Sequence, residues 1–199
     1  LMEDLGSIGD ITTNSIIPPQ RQAVAVIAAR KSGVIAGVPV AVRVFRMIDK
    51  SVRVTLKCED GGCVAPGDVL MEISGPARSI LKAERIALNF LGHLSGVATA
   101  TAEIATAIAH TKAKVCCTRK TTPGLRALEK YAVRCGGGVN HRMGLYDAVL
   151  IKDNHIAAAG GVAEAIRAAK ARPGPRVKLE VEVDTLQQLD EAMAEGVDQ

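Results

Sequence analysis

Ionisable residues follow or occupy three apolar segments in the C-terminal half of the chain, and their types suit the binding of a small anion. Arg119 and Lys120 follow the first segment in "TRKTTPG", Lys152 follows the second in "DAVLIKDNH", and Glu180 and Glu182 lie in the third, "KLEVEVD". Arginine binds a carboxylate or phosphate through paired hydrogen bonds, whereas lysine acts as a point charge. Two adjacent cations at the edge of an apolar core are costly to desolvate unless an anion meets them. The pattern therefore predicts an anion site, unless Arg119 and Lys120 are a solvated strand end.

A further basic pair, His141 and Arg142, precedes the second segment in "NHRMGL". The window from 119 to 152 holds seven Lys and Arg residues but only two carboxylates, a surplus of +5, whereas the whole chain carries +4. Such a concentration of charge indicates a small polyanion, or less readily a nucleic-acid backbone. The chain has no Trp, two Phe and two Tyr, which argues against base stacking by a single-strand nucleic-acid binder. The combined set would suit a substrate with two carboxylates beside a phosphorylated sugar.

Carboxylates at alternate positions of the third segment point to an unusual strand. Glu180 and Glu182 fall on one face, with Glu182 nearer the end of the strand. Because a parallel strand that is buried on both faces normally reads as unbroken apolar sequence, these residues predict either a polar barrel lumen or a metal site.

The elements that must hold these residues read as βα units. Buried strands are expected to end near Thr118, Ile151 and Val183, each followed by a helical pattern, and Thr185 with Gln188 predicts a capping box on the last helix. Active sites gather at the C-terminal ends of such parallel strands. At roughly 30 residues per unit, 113–199 supplies about three units, too few to close a barrel. We therefore expect the natural protein to continue beyond Gln199.

The first 112 residues predict a small α+β domain with linker helices. Residues 1–21 read as an irregular lead-in, followed by strands in "AVAVIAARK", around 33–36, in "VRVTLK" and in "DGGCVAPGDVLMEISG", with a helix in "VPVAVRVFRMID". Residues 80–110 predict two helices or one kinked helix, interrupted near Ser95 and Gly96, in which His93 is interpreted as structural. "CEDGGC" is interpreted as a hairpin turn.

The five cysteines show neither metal-like spacing nor a disulfide pattern, which favours reduced thiols. The sequence shows no secretory signal and no apolar run that would cross a bilayer, so we expect a cytoplasmic location.

The segments "ERIALNFLGHLSGVATATA", "TRKTTPGLRALEKYAVRCGGGVNHRMGLYDAVLIKDNH" and "LEVEVDTLQQLDEA", with the early "GDITT", resemble the quinolinate phosphoribosyltransferase family over essentially all 199 residues. The resemblance implies an N-terminal α/β sandwich domain followed by an incomplete parallel α/β barrel, in a dimer or higher oligomer. It also implies transfer of phosphoribose from phosphoribosyl pyrophosphate (PRPP), bound with Mg²⁺, to quinolinate. The products would be nicotinate mononucleotide, pyrophosphate and carbon dioxide.

Site roles follow from the resemblance at matching positions. It implies that Arg119, His141 and Arg142 line the quinolinate pocket, and that Lys120 and Lys152 meet its carboxylates or the PRPP phosphates.

Glu182 is implied to belong with the magnesium and the ribose, which makes Lys120, Lys152 and Glu182 the catalytic candidates. Arg85 is similar to the family arginine that reaches the neighbouring subunit's site.

The resemblance also places an Asp that should partner Glu182, and the loops that bind the 5-phosphate, beyond Gln199, so residues 1–199 alone are expected to be catalytically incomplete. Two alternatives remain open. One is the related quinolinate phosphoribosyltransferase-like protein of molybdate utilisation, and the other is a non-enzymatic module that binds an anion in the same basic cleft.

Overall fold

Residues 1–141 and 142–199 form two units in the computed structural model, which describes residues 1–172 and 177–199. The first unit contains α1 Met2–Leu5, α2 Ile11–Ile16, β1 Gln22–Ala28, β2 Gly33–Val34, α3 Val38–Ile48, β3 Arg53–Leu56, β4 Cys63–Val64, β5 Val69–Pro76, α4 Ala77–Ala107 and α5 Arg126–Cys135. The second contains β6 Val149–Ile151, α6 Asp153–Ala159, α7 Val162–Lys170, β7 Leu179–Val181 and α8 Leu186–Glu195.

An antiparallel sheet of order β1-β5-β3 forms the layer against which α3 and α4 pack. Its buried face carries Met71 and Ile73 from β5, which pack in one apolar cluster with Phe45 of α3 and Leu91 of α4. The strands predicted in "AVAVIAARK", in "VRVTLK" and before Gly75 are confirmed, as is the helix in "VPVAVRVFRMID".

Asp60 joins α3 to α5. Its carboxylate accepts hydrogen bonds from the backbone N–H groups of Gly37 and Val38, at 3.0 and 2.9 Å, where helix α3 begins. These donors have no partner within the helix, so the carboxylate satisfies both of them. The Tyr131 hydroxyl of α5 donates to the same carboxylate at 2.7 Å, and this hydrogen bond, with burial, raises the pKa of Tyr131. The position of α5 is therefore tied to the start of α3.

Three predictions about the first unit are wrong in detail. The lead-in is not wholly irregular, because Asp10 caps α2 by accepting from Thr13 N–H at 2.9 Å. Of the two alternatives for 80–110, the structure has the single helix, α4 Ala77–Ala107, but without the expected interruption, since its buried stripe runs through Leu91, Leu94 and Ala98. "CEDGGC" makes a turn but no hairpin, because β3 pairs with β5 whereas β4 pairs with β2.

The second unit confirms part of the predicted βα repeat. Strands β6 and β7 pair in parallel with Ile151 opposite Val181, and the connecting helix α7 buries Ile166 against them. Thr185 caps α8 by accepting from Gln188 N–H, but the Gln188 side chain accepts from Asp184 N–H instead of closing the capping box on Thr185.

The expected first strand of the repeat is reduced to a single bridge. Cys116 pairs in parallel with Val139, in the first unit, and the adjoining backbone makes two further hydrogen bonds, from Cys117 N–H to Val139 O and from Val139 N–H to Val115 O. The segment is therefore anchored by the loop that follows α5 and forms no regular strand. Across the described residues, no helix combines the length and apolar character that crossing a bilayer requires.

Candidate active site

A cleft of about 280 Å³ within the first unit is bordered by Thr118, Lys120, Thr121 and Thr122. Lys120 is exposed at the cleft, and its backbone N–H donates to Thr118 Oγ1 at 3.0 Å. The guanidinium of Arg126, at the start of α5, donates to Thr121 Oγ1 at 3.0 Å. The loop is thus ordered by its own polar atoms and by α5, while the Lys120 ammonium remains accessible to a ligand.

Arg119 and Arg142 share an unusual feature. In each, the Nε atom is buried and finds no hydrogen-bond partner among the described residues. A buried N–H without a partner costs free energy that a ligand acceptor would recover. Because guanidinium presents parallel N–H donors, a carboxylate or phosphate is the ligand that would satisfy these atoms.

Glu129, on α5, is a buried carboxylate beneath the loop. It accepts hydrogen bonds from Thr122 N–H at 3.0 Å and from His93 Nε2 at 2.8 Å. Burial alone would raise the pKa of Glu129, but the hydrogen bonds from Thr122 and His93 outweigh it and the pKa is lowered. Glu129 therefore holds the loop with an ionised carboxylate.

Lys130, the next residue on α5, is also buried. Its ammonium donates to Cys117 Sγ at 2.9 Å and to the backbone carbonyl of His141 at 2.9 Å. The Cys117 sulfur also accepts from His141 N–H at 3.4 Å. The backbone at His141 is therefore fixed to the segment that leads into Arg119.

In the second unit, the structure brings Lys152 and Glu182 together at the ends of β6 and β7. The Lys152 ammonium lies 2.9 Å from both carboxylate oxygens of Glu182, and the two side chains are 43% and 54% exposed. A pair this exposed contributes at most about 1 kcal/mol to stability, so both groups are accessible to a ligand at little cost. Glu180 lies within β7 and is half-buried.

The loop that begins at Arg142 is fixed by Asp147. The Asp147 carboxylate accepts from Met143 N–H at 2.7 Å and from Gly144 N–H at 2.9 Å, and an Arg142 terminal nitrogen donates to Ala148 O at 3.3 Å. This geometry orients Arg142 through its own loop, while its Nε atom has no hydrogen-bond partner within residues 1–172 and 177–199.

Arg85 lies on the exposed surface of α4, at a different cleft of about 350 Å³ that is also lined by Asp10 and Lys82. That cleft and the Lys120 cleft have no lining residue in common. The structure therefore does not bring Arg85 to the Lys120 cleft within one chain.

The described residues supply only some of the ligands that a magnesium ion needs. Among the described residues there is no cluster of three or more His, Cys, Asp or Glu side chains placed to hold a metal. Mg²⁺ usually keeps several waters and binds one or two carboxylates together with substrate phosphates. The exposed Glu182 carboxylate fits such a single protein ligand, so the site suits a metal that arrives with a phosphorylated substrate.

Three residues that hold the candidate site were not predicted in that role: His93, Glu129 and Lys130. Glu129 could have been found, because it falls on the same helical face as Leu125, Leu128 and Ala132, where an ionisable residue needs a buried partner. Nothing in the sequence indicates that Lys130 turns towards Cys117, which depends on how α5 packs.

Two family descriptions together span almost the whole chain. Residues 10–95 match "Quinolinate phosphoribosyl transferase, N-terminal domain" and residues 97–199 match the C-terminal domain of the same family. The predicted combination of an N-terminal α/β domain with a barrel-like C-terminal domain is thereby confirmed.

Individual relatives of the chain carry names that match this family. The chain is 47% identical over 197 residues to a protein of Bacillus subtilis named probable nicotinate-nucleotide pyrophosphorylase [carboxylating], covering 99% of this chain and 68% of the relative. It is 49% identical to the nicotinate-nucleotide pyrophosphorylase [carboxylating] of Mycobacterium leprae, covering 98% of this chain and 69% of that protein.

Solved structures show the same fold. The crystal structure of NadC from Streptococcus pyogenes superposes with a TM-score of 0.95 at 47% identity, covering 99% of this chain and 70% of that one. The nicotinate-nucleotide pyrophosphorylase of Francisella tularensis superposes with a TM-score of 0.94 at 42% identity, covering 99% of this chain and 69% of that one. The chain thus spans about two thirds of the length of these relatives.

Proposed function

Because the chain belongs to the quinolinate phosphoribosyltransferase family, we propose that it transfers phosphoribose from PRPP to the ring nitrogen of quinolinate, with decarboxylation, in NAD biosynthesis. The products are nicotinate mononucleotide, pyrophosphate and carbon dioxide. The observation that carries the proposal is that the Nε atoms of Arg119 and of Arg142 are each buried without a hydrogen-bond partner among the described residues, and a carboxylate at each guanidinium would supply that partner.

The proposed binding step uses the basic residues of both units. Arg119, His141 and Arg142 receive the two carboxylates of quinolinate, and Lys120 and Lys152 supply positive charge to the carboxylates or to the PRPP phosphates. Holding the ring in this way aims its nitrogen at the anomeric carbon of the ribose before reaction, which removes much of the entropic cost of the encounter.

In the proposed transfer step, the ring nitrogen forms its bond as the bond to pyrophosphate breaks, and the anomeric carbon develops positive charge. The Glu182 carboxylate stabilises that charge, and Lys152 at 2.9 Å keeps Glu182 in place. Mg²⁺, bound with PRPP, would neutralise the charge of the departing pyrophosphate.

In the proposed final step, one quinolinate carboxylate leaves as carbon dioxide, and the pyridinium ring takes up the electron pair of the broken bond before a proton replaces the lost group. The cations that oriented the dianion then face a substrate with less negative charge.

The assembly is proposed to be a homodimer or higher oligomer in which Arg85 completes the neighbouring subunit's site. Arg85 suits this role because it is exposed on α4 and no described residue hydrogen-bonds to its guanidinium.

A single assay tests the function. The protein at its full natural length is incubated with quinolinate, PRPP and Mg²⁺, and nicotinate mononucleotide is followed by chromatography, with Lys120→Ala in parallel. We expect product from the wild type and a fall of roughly 100-fold or more in kcat/KM for Lys120→Ala, because a charge facing the reacting groups is lost.

Lys114→Ala is the matched control, since Lys114 is an exposed lysine that does not line the Lys120 cleft. Folded wild-type protein that yields no product would contradict the proposal, and would leave the molybdate-linked relative or a binding module as the better account.

A further inference from the structure

Lys130 is a buried cation with an unusual set of partners. Its side chain is among the most deeply buried of the described residues, at 1% relative exposure. The ammonium donates to a cysteine sulfur and a backbone carbonyl, and within residues 1–172 and 177–199 it forms no ion pair with a carboxylate. The neighbouring carboxylate, Glu129, is engaged by Thr122 and His93 instead.

Stability alone gives little reason for a lysine at this position. Burying an ammonium without an opposite charge is unfavourable, and an apolar side chain of similar length is often tolerated as well or better in such places. A charge kept against that cost points to a role at the site that it borders. Lys130 lines the same cleft as Lys120, Thr121 and Thr122.

The two acceptors of Lys130 belong to the two segments that carry the candidate cations of the first unit. Cys117 ends the segment that leads into Arg119 and Lys120, and His141 is itself a candidate for the quinolinate pocket. The Cys117 sulfur also accepts from His141 N–H at 3.4 Å, so the three residues form a closed set of contacts. Moving the ammonium would remove a contact from both segments at once.

We propose that Lys130 is a positioning residue for the dicarboxylate half of the site, where its buried ammonium fixes the backbone of His141 against Cys117 and so sets the spacing of the cations that receive the two carboxylates. This inference rests on the proposed function. Lys130 acts through His141 and the 117–120 segment, so its loss affects the dicarboxylate more than PRPP.

The test uses Lys130→Met, which keeps an unbranched side chain of similar length but removes the charge and the donors. We expect the Kd for quinolinate, measured by calorimetry, to rise roughly tenfold or more, because two hydrogen bonds from a charged donor are lost. The KM for PRPP should stay within about twofold of wild type. Amide hydrogen exchange of the peptide covering 138–142 should accelerate in the ligand-free variant.

Two further variants separate positioning from general loss of structure. Lys130→Arg keeps the charge and donors, and should recover part of the quinolinate affinity. Ile73→Val changes a buried residue of the sheet core in β5, and should lower the unfolding midpoint without changing either substrate constant. Should Lys130→Met not fold, Cys117→Ala removes one of the two acceptors and is expected to raise the quinolinate Kd by a smaller factor.

An unchanged quinolinate Kd, an equal loss for quinolinate and PRPP, or unchanged exchange at 138–142 would each overturn the positioning role. Failure of the wild type to bind quinolinate would instead overturn the proposed function, and the exchange measurement would still decide whether Lys130 holds the His141 backbone.

Discussion

At the scale of single residues, the buried carboxylate of Glu129 connects the candidate site to the long helix α4. One oxygen accepts from His93 on α4 and the other from the backbone of Thr122 in the cation-bearing loop. Both hydrogen bonds favour the ionised form and together lower the pKa of Glu129 against the opposing effect of burial. The loop is therefore held by a charge that acid can remove.

Replacing Glu129 with Gln tests this link through its pH dependence. A carboxyl group whose pKa is lowered on folding contributes stability above its ordinary value of 4.5 and loses that contribution as pH falls through the lowered value. We expect Glu129→Gln to cost about 1–3 kcal/mol at neutral pH, typical of hydrogen bonds to a charged group. The difference from wild type should shrink as the pH drops below 4.5.

Urea unfolding of both proteins, from pH 7 down to pH 3, measures this difference. The exposed Asp190, changed to Asn, is the control and should show no such pH-dependent gap. A gap between wild type and Glu129→Gln that stays constant across the range would show that ionisation of Glu129 does not hold the loop.

The residues proposed to touch substrate were easier to predict than those that hold them. Arg119, Lys120, Lys152 and Glu182 stand next to the ends of apolar segments, where a charge is costly unless solvent or a ligand meets it. The paired contact of Lys152 with Glu182 follows from the parallel pairing of β6 with β7 and is a finding of the structure. The structure pairs His93 with Glu129, which lies 36 positions away in sequence, a separation that no local pattern reveals.

At the scale of elements, the close packing of α5 against α4 requires a glycine at one position, whereas a second glycine, on α4, faces open space. A Cβ on Gly136 would lie 2.2 Å from the backbone carbonyl oxygen of Ala98, whereas a Cβ on Gly96 would meet nothing within 4 Å. Both positions are glycine in the sequence, yet only Gly136 is required for α5 to lie against α4.

The two glycines therefore predict opposite effects of alanine. Gly96→Ala should raise the free energy of unfolding by about 0.5–1 kcal/mol, because alanine loses less backbone entropy in a helix. Gly136→Ala should lower it by about 1–3 kcal/mol through overpacking against α4. Urea unfolding of the two single variants checks the signs, and a loss of stability in Gly96→Ala would show that the exposed face of α4 is covered by something else.

The glycines also show why the predicted break in α4 was wrong. Sequence rules treat Ser95 and Gly96 as helix breakers because glycine is costly in a helix. Here the apolar residues on the opposite face keep their helical spacing, and the Ser95 hydroxyl accepts from Ala36 N–H at 3.1 Å, so packing overrides the local preference.

At the scale of the whole molecule, the candidate residues are divided between two units. Arg119, Lys120 and His141 belong to residues 1–141, whereas Arg142, Lys152 and Glu182 belong to residues 142–199. Composition and spacing predicted the class of fold. The family was predicted from the segment that runs from "TRKTTPG" to "IKDNH", which resembles that family. Oligomeric assembly leaves no periodic signal in one sequence, so the role proposed for Arg85 rests on the resemblance alone.

Mixing two inactive variants tests the proposed assembly. If Arg85 serves the neighbouring subunit, a heterodimer of Arg85→Ala with Lys120→Ala has one site that carries both changes and one site that carries neither. Equal mixing after unfolding and refolding should then recover about a quarter of wild-type activity, given random pairing in a twofold dimer. Mixtures that stay as inactive as the parents would place Arg85 in its own subunit's site, and an Arg85→Ala parent with wild-type activity would place it outside any site.

The continuity of α4 has a consequence for communication between the sites of such an oligomer. Arg85 and His93 lie on this one uninterrupted helix, eight residues or roughly 12 Å apart along its axis. If Arg85 serves the neighbouring subunit's site as proposed, a shift of α4 that accompanies substrate binding there would also reach His93, and with it Glu129 and the loop of its own subunit. Successive molecules of quinolinate would then bind with unequal affinity, and the sites of the dimer would be coupled.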